Sequence, residues 1–163
     1  MTGCPSHADL TARLRTLARM APAPSPVVSV YLNTHWRDEH QRERARVFLK
    51  NELRRARVGA TAELDADLAW VERQGEALVG KSEACPNARA IALFACRSAG
   101  LREVLPLRAP VDDFFVVGAG PHLRRLAALI EAAPLALIVF VDGVSARLIP
   151  LMADGAGEPV TLE

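Results

Sequence analysis

The sequence lacks the features that mark membrane insertion, secretion or a covalent framework. No run of roughly eighteen apolar residues occurs, so a membrane-spanning helix is not expected. The N-terminus carries no apolar stretch of the signal-peptide kind. The three cysteines are scattered and form no CxxC pair, which disfavours both a zinc site and a disulfide framework. We therefore expect a cytoplasmic protein with no membrane attachment, no metal and no cofactor.

Lysine is also scarce. Of the 20 Lys and Arg residues, only Lys50 and Lys81 are lysine. Together with the abundant alanine this bias indicates a GC-rich genome, so arginine content alone does not argue for nucleic-acid binding. The 163 residues are half hydrophobic, with a net charge of +1. This is an ordinary globular composition, sufficient for one good core or two small ones.

The spacing of apolar residues predicts an α/β protein of the mixed α+β type. Residues 1–117 are assigned to a first unit with the order strand–helix–helix–strand–strand, preceded by an N-terminal helix. Residues 118–163 are assigned to the beginning of a second unit. The predicted helices are 7–20, 38–58, 62–79 and 121–133, and the predicted strands of the first unit are 27–34, 88–95, 101–107 and 114–117. Ser6 is expected to cap the first helix, Pro121 to occupy the first position of the last one, and Pro106 to mark an edge strand.

A hairpin dominates the second unit. Residues 135–142 are almost wholly apolar and too few for a typical helix, so they predict a strand buried on both faces. Asp142-Gly143 predicts a tight turn, with Gly143 at positive φ, and residues 145–151 return antiparallel. A final strand is expected at 158–162. Because 12 residues follow Leu151, we expect this second sheet to be incomplete and to favour self-association.

No catalytic constellation is found in the sequence. Gly118-Ala-Gly-Pro121 could cradle a phosphate at a helix N-terminus, but Pro121 removes a donor, and a plain strand-to-helix turn is favoured. Asp112, Asp113 and Asp142 could form a carboxylate cluster, but adjacent residues of an extended segment point to opposite faces, so turn and edge roles are favoured. The four histidines have no metal-ligand spacing. Trp70 is interpreted as a core contact.

The second predicted helix carries the most informative binding feature. Arg46, Lys50, Arg54 and Arg57 recur at spacings of four, four and three, which aligns them on one side of the helix. Such a stripe can follow a phosphate backbone, and Trp36 nearby could stack on a base. These five residues form the candidate RNA-binding site. An ordinary solvated helix face with a partly buried Trp36 is the alternative that composition leaves open.

Several segments resemble the bacterial branch of the archaeal and eukaryotic class-1 peptide chain release factor family, which includes Pelota-like rescue factors. The resemblance covers roughly residues 25–152. It is carried by the strand Val27-Val-Ser-Val-Tyr-Leu-Asn-Thr34, by Leu49-Lys-Asn-Glu-Leu53, and by the run from Phe114 through Pro121-His-Leu123 to Leu137-Ile-Val-Phe-Val-Asp-Gly-Val-Ser-Ala-Arg-Leu148.

The resemblance implies a ribosome-associated factor that contacts rRNA or tRNA. The family reads stop codons with an Asn-Ile-Lys-Ser loop and a Tyr-x-Cys-x-x-x-Phe motif. Neither occurs here: Val58–Thr61 lacks the loop, and Phe115, Val117 and Pro121 stand at the second motif. The catalytic Gly-Gly-Gln loop is absent too, so we expect a fragment of a longer protein that docks in rescue, stress or hibernation.

Two further functions stay open. One is a peptidyl-tRNA or RNA hydrolase whose catalytic Gln lies beyond residue 163. The other is a protein–protein interaction module without an RNA role.

Overall fold

The architecture comes from a computed structural model, which describes residues 5–36, 38–80, 88–132, 136–152, 155–156 and 159–162. The predicted mixed α+β class is confirmed. The described helices are α1 (His7–Ala18), α2 (Glu39–Ala56), α3 (Ala62–Gly80) and α4 (Arg124–Glu131). The first sheet contains β1 (Val27–Asn33), β2 (Ala90–Cys96), β3 (Leu101–Leu107) and β4 (Phe114–Gly118). The second contains β5 (Ala136–Val141), β6 (Ala146–Met152), β7 (Gly155–Ala156) and β8 (Val160–Leu162).

The first sheet lies between two helical layers. Its order is β3-β2-β1-β4, and all neighbouring strands are antiparallel. Alternate residues of β1 serve two cores: Val27 and Tyr31 pack towards α1 and α4, whereas Val30 and Leu32 pack towards α2 and α3. The predicted edge position of Pro106 is confirmed, since β3 stands first in the order.

Helix α2 has clear local causes at both ends. Asp38 begins it, because its Oδ1 accepts a hydrogen bond from the Gln41 amide at 2.8 Å. Beyond its end, Gly59 has a φ of 73°, a conformation that glycine adopts without strain. The predicted break between the two helices is therefore confirmed. The buried face of α2 consists of Ala45, Leu49 and Leu53.

The opposite face of the sheet is covered by α1 and α4. The predicted capping of α1 is confirmed: the Asp9 amide donates to Ser6 Oγ, and the Ser6 amide donates to Asp9 Oδ2 at 3.1 Å. Leu126 of α4 is fully buried in the core that α1 also enters. Helix α4, assigned to the second unit from the sequence, thus packs on the first sheet.

The start of α4 was predicted wrongly. The helix begins at Arg124, so Pro121 does not occupy its first position. The preceding segment is instead fastened to β1: the His122 amide donates to Ser29 Oγ at 3.0 Å, and the Tyr31 hydroxyl donates to the His122 carbonyl at 2.7 Å. These bonds fix the backbone of His122 to β1, so the segment before Arg124 stays in a non-helical turn. Residue 133, the predicted end of this helix, lies outside the described residues.

The predicted antiparallel hairpin is confirmed: β5 pairs with β6, and Val141 lies opposite Ala146. The expectation that β5 is buried on both faces is wrong: all its residues are exposed, Phe140 by 59% and Val141 by 73%. No described helix buries either face of β5. The apolar side chains of a strand show that it could be buried, but they do not show whether another layer of the protein covers it. Leu135, the predicted first residue, lies outside the described part of the chain.

The turn of this hairpin also differs from its prediction. Residues 142–145 connect the strands, and the glycines with positive φ in the described chain are Gly59 and Gly100, not Gly143. Asp142 shapes the turn instead, because its Oδ1 accepts from the amides of Val144 and Ser145 at 2.9 and 2.8 Å. The same bonds lower the pKa of Asp142.

The remaining short elements complete the second sheet. The predicted final strand is confirmed as β8, which pairs with β6; Glu158, its predicted first residue, lies outside the described part. Strand β7 pairs with β6 at Leu151 and Met152 and was too short to predict. The prediction that Trp70 is a core residue is confirmed, since it packs on the core between α3 and the sheet. Among the described helices, none has the length and apolarity needed to cross a membrane.

Candidate nucleic-acid interface

Three of the predicted basic residues form a row on α2. Arg46, Lys50 and Arg54 are exposed, and successive members lie about 6 Å apart along the axis and about 40° apart around it. Arg46 Nη1 contacts Glu43 Oε2 at 2.7 Å. Within the described chain, Lys50 and Arg54 make no ion pair. We call these three residues the basic ridge.

Arg57, the fourth predicted basic residue, has a different environment. Its Nη2 contacts Glu72 Oε2 at 2.6 Å and its Nε contacts Asp65 Oδ1 at 3.3 Å. The hydrogen bond with Glu72 is the main cause of a raised pKa at Arg57, and Asp65 adds to it. Because both carboxylates belong to α3, Arg57 links the two helices and offers less net charge to a polyanion than the ridge does.

A shallow groove between α2 and α3 borders the basic ridge. Arg46 and Lys50 line it together with Glu72 and Glu76 of α3, above a floor formed by Leu49, Leu53 and Gly75. The two glutamates oppose the positive potential on the α3 side. A polyanion would therefore approach the ridge from the solvent side of α2 rather than enter the groove.

Trp36, the predicted stacking residue, does not lie beside the basic ridge. It lines a cleft with Arg44 and Phe48, and these two residues lie roughly 160° to 200° around the helix from Arg46. The Arg42 guanidinium lies over the Trp36 ring, 5.8 Å from its centroid. The structure thus brings the ridge residues together and places Trp36 on the other side of α2.

The cleft at Trp36 was not anticipated from the sequence. It has a volume of about 310 Å³ and lies where β1 ends, α2 begins and the chain enters β4. We call it the β1-end cleft. Its lining comes from segments far apart in the chain. In the sequence, Trp36 and the pair Asp112-Asp113 are separate features, with turn or edge roles favoured for the two aspartates. The lining residues are Asn33, His35, Trp36, Gln41, Arg44, Phe48, Asp112 and Asp113.

The two aspartates of the cleft have different environments. Asp113 Oδ1 accepts a hydrogen bond from the Asn33 amide at 2.7 Å, which ties the segment before β4 to the end of β1. Burial raises the pKa of Asp113; the bond from Asn33 opposes this rise and the charge of Asp112 adds to it. Asp112 is exposed, and its carboxylate makes no hydrogen bond with the described residues. Asp113 therefore has a structural role, and the Asp112 carboxylate faces solvent.

The other candidate features have structural roles. The interpretation of Gly118–Pro121 as a strand-to-helix turn agrees with the structure, since α4 starts only at Arg124 and its N-cap, Leu123, makes no side-chain hydrogen bond. In the residues that the structure describes, no three His, Cys, Asp or Glu side chains lie close enough together to hold a metal ion.

Comparisons with known proteins inform the fold alone. No protein-family model and no curated protein matches the sequence. A solved structure described as "Archaeal protein" superposes on 98% of this chain with a TM-score of 0.58 and 15% identity. The chain spans about half of that protein, 46% of its length. At this identity the likeness shows a shared arrangement of helices and strands.

Proposed function

We propose that this chain is the RNA-docking part of a cytoplasmic, ribosome-associated translation factor of release-factor-like type, which acts in rescue, stress or hibernation without reading stop codons. The observation that carries the proposal is the basic ridge, a row of three cations on the exposed side of α2. The resemblance to the release factor family supports the ribosome as the source of the RNA.

The ridge is suited to bind phosphates. Lys50 and Arg54 have no competing carboxylate within the described chain. The exposed ion pair of Arg46 with Glu43 contributes at most about 1 kcal/mol of free energy, so a phosphate can replace that carboxylate at little cost in free energy. The opposite face of α2 is buried through Ala45, Leu49 and Leu53. Because the helix is already held in place, little conformational entropy is lost when it binds.

The residues at the stop-codon motifs of the family support docking without codon recognition. Sequence-specific readout of unpaired bases needs hydrogen-bond donors and acceptors on side chains. Val117 and Pro121 offer none, and the loop at Val58–Thr61 carries no Lys or Asn. Binding through the ridge would instead involve phosphates, which carry no base identity.

The test is co-sedimentation with ribosomes at several salt concentrations, with the double variant Arg46→Glu, Arg54→Glu. Each lost contact with a single-stranded phosphate backbone reduces the salt slope of log K by about 0.7, so two lost contacts reduce it by about 1.4. Near 0.1 M salt this corresponds to weakening of roughly tenfold or more. Arg57 is left intact because its ion pairs hold α2 against α3.

The matched control is Arg15→Glu, Arg73→Glu, which changes the net charge equally at exposed positions of α1 and α3. We expect this control to bind ribosomes with little change in the salt slope. Equal loss of binding in both double variants would mean that net charge, not the ridge, drives the association. Unchanged pelleting of the ridge variant would refute the assignment of this surface.

A further inference from the structure

The β1-end cleft has the size of a small-ligand site. Its volume of about 310 Å³ falls at the lower end of the range typical of such sites, about 300 to 1,000 Å³. Two aromatic rings, Trp36 and Phe48, supply apolar lining, and around them stand a guanidinium, Arg44, and a carboxylate, Asp112. A concave site that combines aromatic side chains with placed polar groups is a form that small-molecule sites take.

Several of these polar groups lack partners in the protein. The Trp36 Nε1 atom is buried and has no hydrogen-bond partner within the described chain. A buried N–H without an acceptor is unfavourable, and native structures rarely leave one unpaired. The carboxylate of Asp112 and the guanidinium of Arg44 likewise make no hydrogen bond or ion pair with the described residues. The cleft thus offers the Arg44 guanidinium as a donor and the Asp112 carboxylate as an acceptor to a ligand.

The mixture of charges limits the class of ligand. A free inorganic anion would meet the carboxylate of Asp112, and a simple cation would meet Arg44. A nucleotide avoids both conflicts, because its base is planar and polar at the edge while its phosphate is anionic. Aromatic side chains stack on any base. Selectivity among the four bases must therefore come from hydrogen bonds to the edge of the base.

The donor and acceptor pattern favours guanine. Guanine presents two adjacent donors, N1–H and the N2 amino group, which a single carboxylate can accept together. Its O6 and N7 are acceptors suited to a guanidinium. Adenine and cytosine present one amino group with an acceptor beside it, and that acceptor would face the Asp112 carboxylate unfavourably. Uracil offers one N–H between two acceptors.

We propose that the β1-end cleft binds a guanosine 5′-phosphate group, with the Asp112 carboxylate accepting from N1 and N2, the base against Trp36 and Phe48, and Arg44 at the phosphate. The group could belong to a free guanine nucleotide or to a guanosine within RNA. Neither source requires the basic ridge, so this proposal stands independently of the docking function.

The surrounding structure positions these groups before a ligand arrives. The bond from the Asn33 amide to Asp113 fixes the segment that carries Asp112. The Arg42 guanidinium over the Trp36 ring restrains the indole. Arg44 and Phe48 are four residues apart on α2, so they project from the same side of the helix.

The experiment is isothermal titration of the folded chain with GMP, AMP, CMP and UMP, and with the RNA oligomers AAGAA and AAAAA. We expect GMP or AAGAA to bind at least about tenfold more tightly than its adenine counterpart, the factor that one good bidentate contact to a base supplies. GMP binding identifies a free nucleotide as sufficient. Binding of AAGAA without GMP binding identifies RNA as the source.

Two variants connect binding to the proposed contacts. Asp112→Asn keeps the shape of the side chain but places an amide where a second acceptor is needed, so the preference for guanine should fall by about tenfold or more. Arg44→Gln should make GMP bind no more tightly than guanosine. Glu63→Gln and Arg73→Gln change exposed residues of α3 outside the cleft and should bind like the wild type.

The proposal is overturned if neither GMP nor AAGAA binds a chain that circular dichroism shows to be folded. It is equally overturned if guanine and adenine ligands bind alike, or if Asp112→Asn retains the full preference. Loss of ribosome binding in the ridge variant with intact GMP binding would separate this cleft from the ridge. GMP binding together with a failed ridge test would leave the cleft assigned and the docking surface refuted.

Discussion

Replacement of Gly75 by alanine tests how closely α2, the helix that carries the basic ridge, is packed against α3. A Cβ added at Gly75 would overlap Cδ2 of Leu49 and would lie 3.7 Å from Leu49 Cγ and 4.0 Å from Leu32 Cδ1. Leu49 is only 4% exposed, so its side chain cannot turn into solvent to make room. Either Leu49 adopts another rotamer inside the core or the two helices separate slightly.

Two opposing terms set the expected magnitude. Overpacking a closely packed core typically costs about 1–3 kcal/mol. Alanine is favoured over glycine in a helix interior by about 1 kcal/mol. Overlap at a buried leucine should outweigh the gain in helix propensity, and we expect Gly75→Ala to lower the free energy of unfolding by about 1 kcal/mol.

Urea unfolding followed by tryptophan fluorescence measures this change. Trp70 packs on the same core, so its emission should report the loss of packing between α3 and the sheet. A lower midpoint with an unchanged denaturant slope would show that stability has changed without a change in the surface exposed on unfolding.

The same substitution in a Leu49→Val background is the matched control. Valine lacks the δ carbon that the new Cβ would overlap, so alanine should then stabilise the chain by up to about 1 kcal/mol. The sign of the effect should therefore reverse, with a coupling of about 2 kcal/mol between the two positions. Equal stabilisation by alanine in both backgrounds would refute close packing at Gly75.

Two other predictions concern the cleft and the hairpin. Asp113→Asn keeps an acceptor for the Asn33 amide but removes a carboxylate whose pKa burial raises. A carboxyl group with a raised folded pKa makes the folded protein less stable as pH rises from its unfolded pKa through its folded pKa. The variant should therefore lose less stability than the wild type between about pH 4 and about pH 7. Urea midpoints at both pH values test this, and a larger loss in the variant would contradict it. The exposed β5 strand should promote self-association, and Phe140→Glu, opposite Arg147, should reduce concentration-dependent light scattering while keeping the hairpin paired. A wild-type chain that stays monomeric at every concentration would refute this second expectation.

The helices that cover the first sheet could largely be predicted because their determinants are local. The capping box of Ser6 and Asp9, the spacing of Leu49 and Leu53, and the glycine at position 59 each act within a few residues. Hydrophobic periodicity and capping report such effects directly. The mixed α+β class followed from such patterns, and the edge position of β3 followed from Pro106, without knowledge of the partners in space.

The misjudged features depend on side-chain hydrogen bonds that the residue type at the position itself does not reveal, to distant residues near Pro121 and to local ones near Gly143. Pro121 suits the first turn of a helix, but the bonds from His122 and Tyr31 to their partners delay that helix to Arg124. Gly143 suits a primed turn, but the Asp142 side chain satisfies the turn amides without a positive φ. In both cases a side-chain hydrogen bond replaced the backbone geometry that the residue type favours.

In the candidate site, too, the features set by local spacing could be predicted and those set by distant segments could not. The basic ridge follows from helical spacing alone, so the sequence could place Arg46, Lys50 and Arg54 together. Arg57 does not join that row because it forms ion pairs with Glu72 and Asp65, which lie on another helix and are not indicated by spacing along α2. The β1-end cleft joins Asn33 with Asp113, 80 residues apart, and no spacing rule connects such segments.

The positions of the two proposed surfaces on α2 constrain how one RNA could use both. The ridge and the cleft flank the exposed side of the helix, where Val47 and Asn51 lie between them. A strand that contacts both must cross a helix about 10–12 Å in diameter, a distance that two or three nucleotides cover. Binding through both surfaces would then be bivalent, and loss of either surface would weaken it by far more than that surface's own weak affinity suggests. If separate molecules occupy the two surfaces, the ridge variant would leave the guanine preference of the cleft unchanged for long and short RNA alike. The length of RNA at which the two sets of variants begin to affect each other therefore measures the distance between the surfaces.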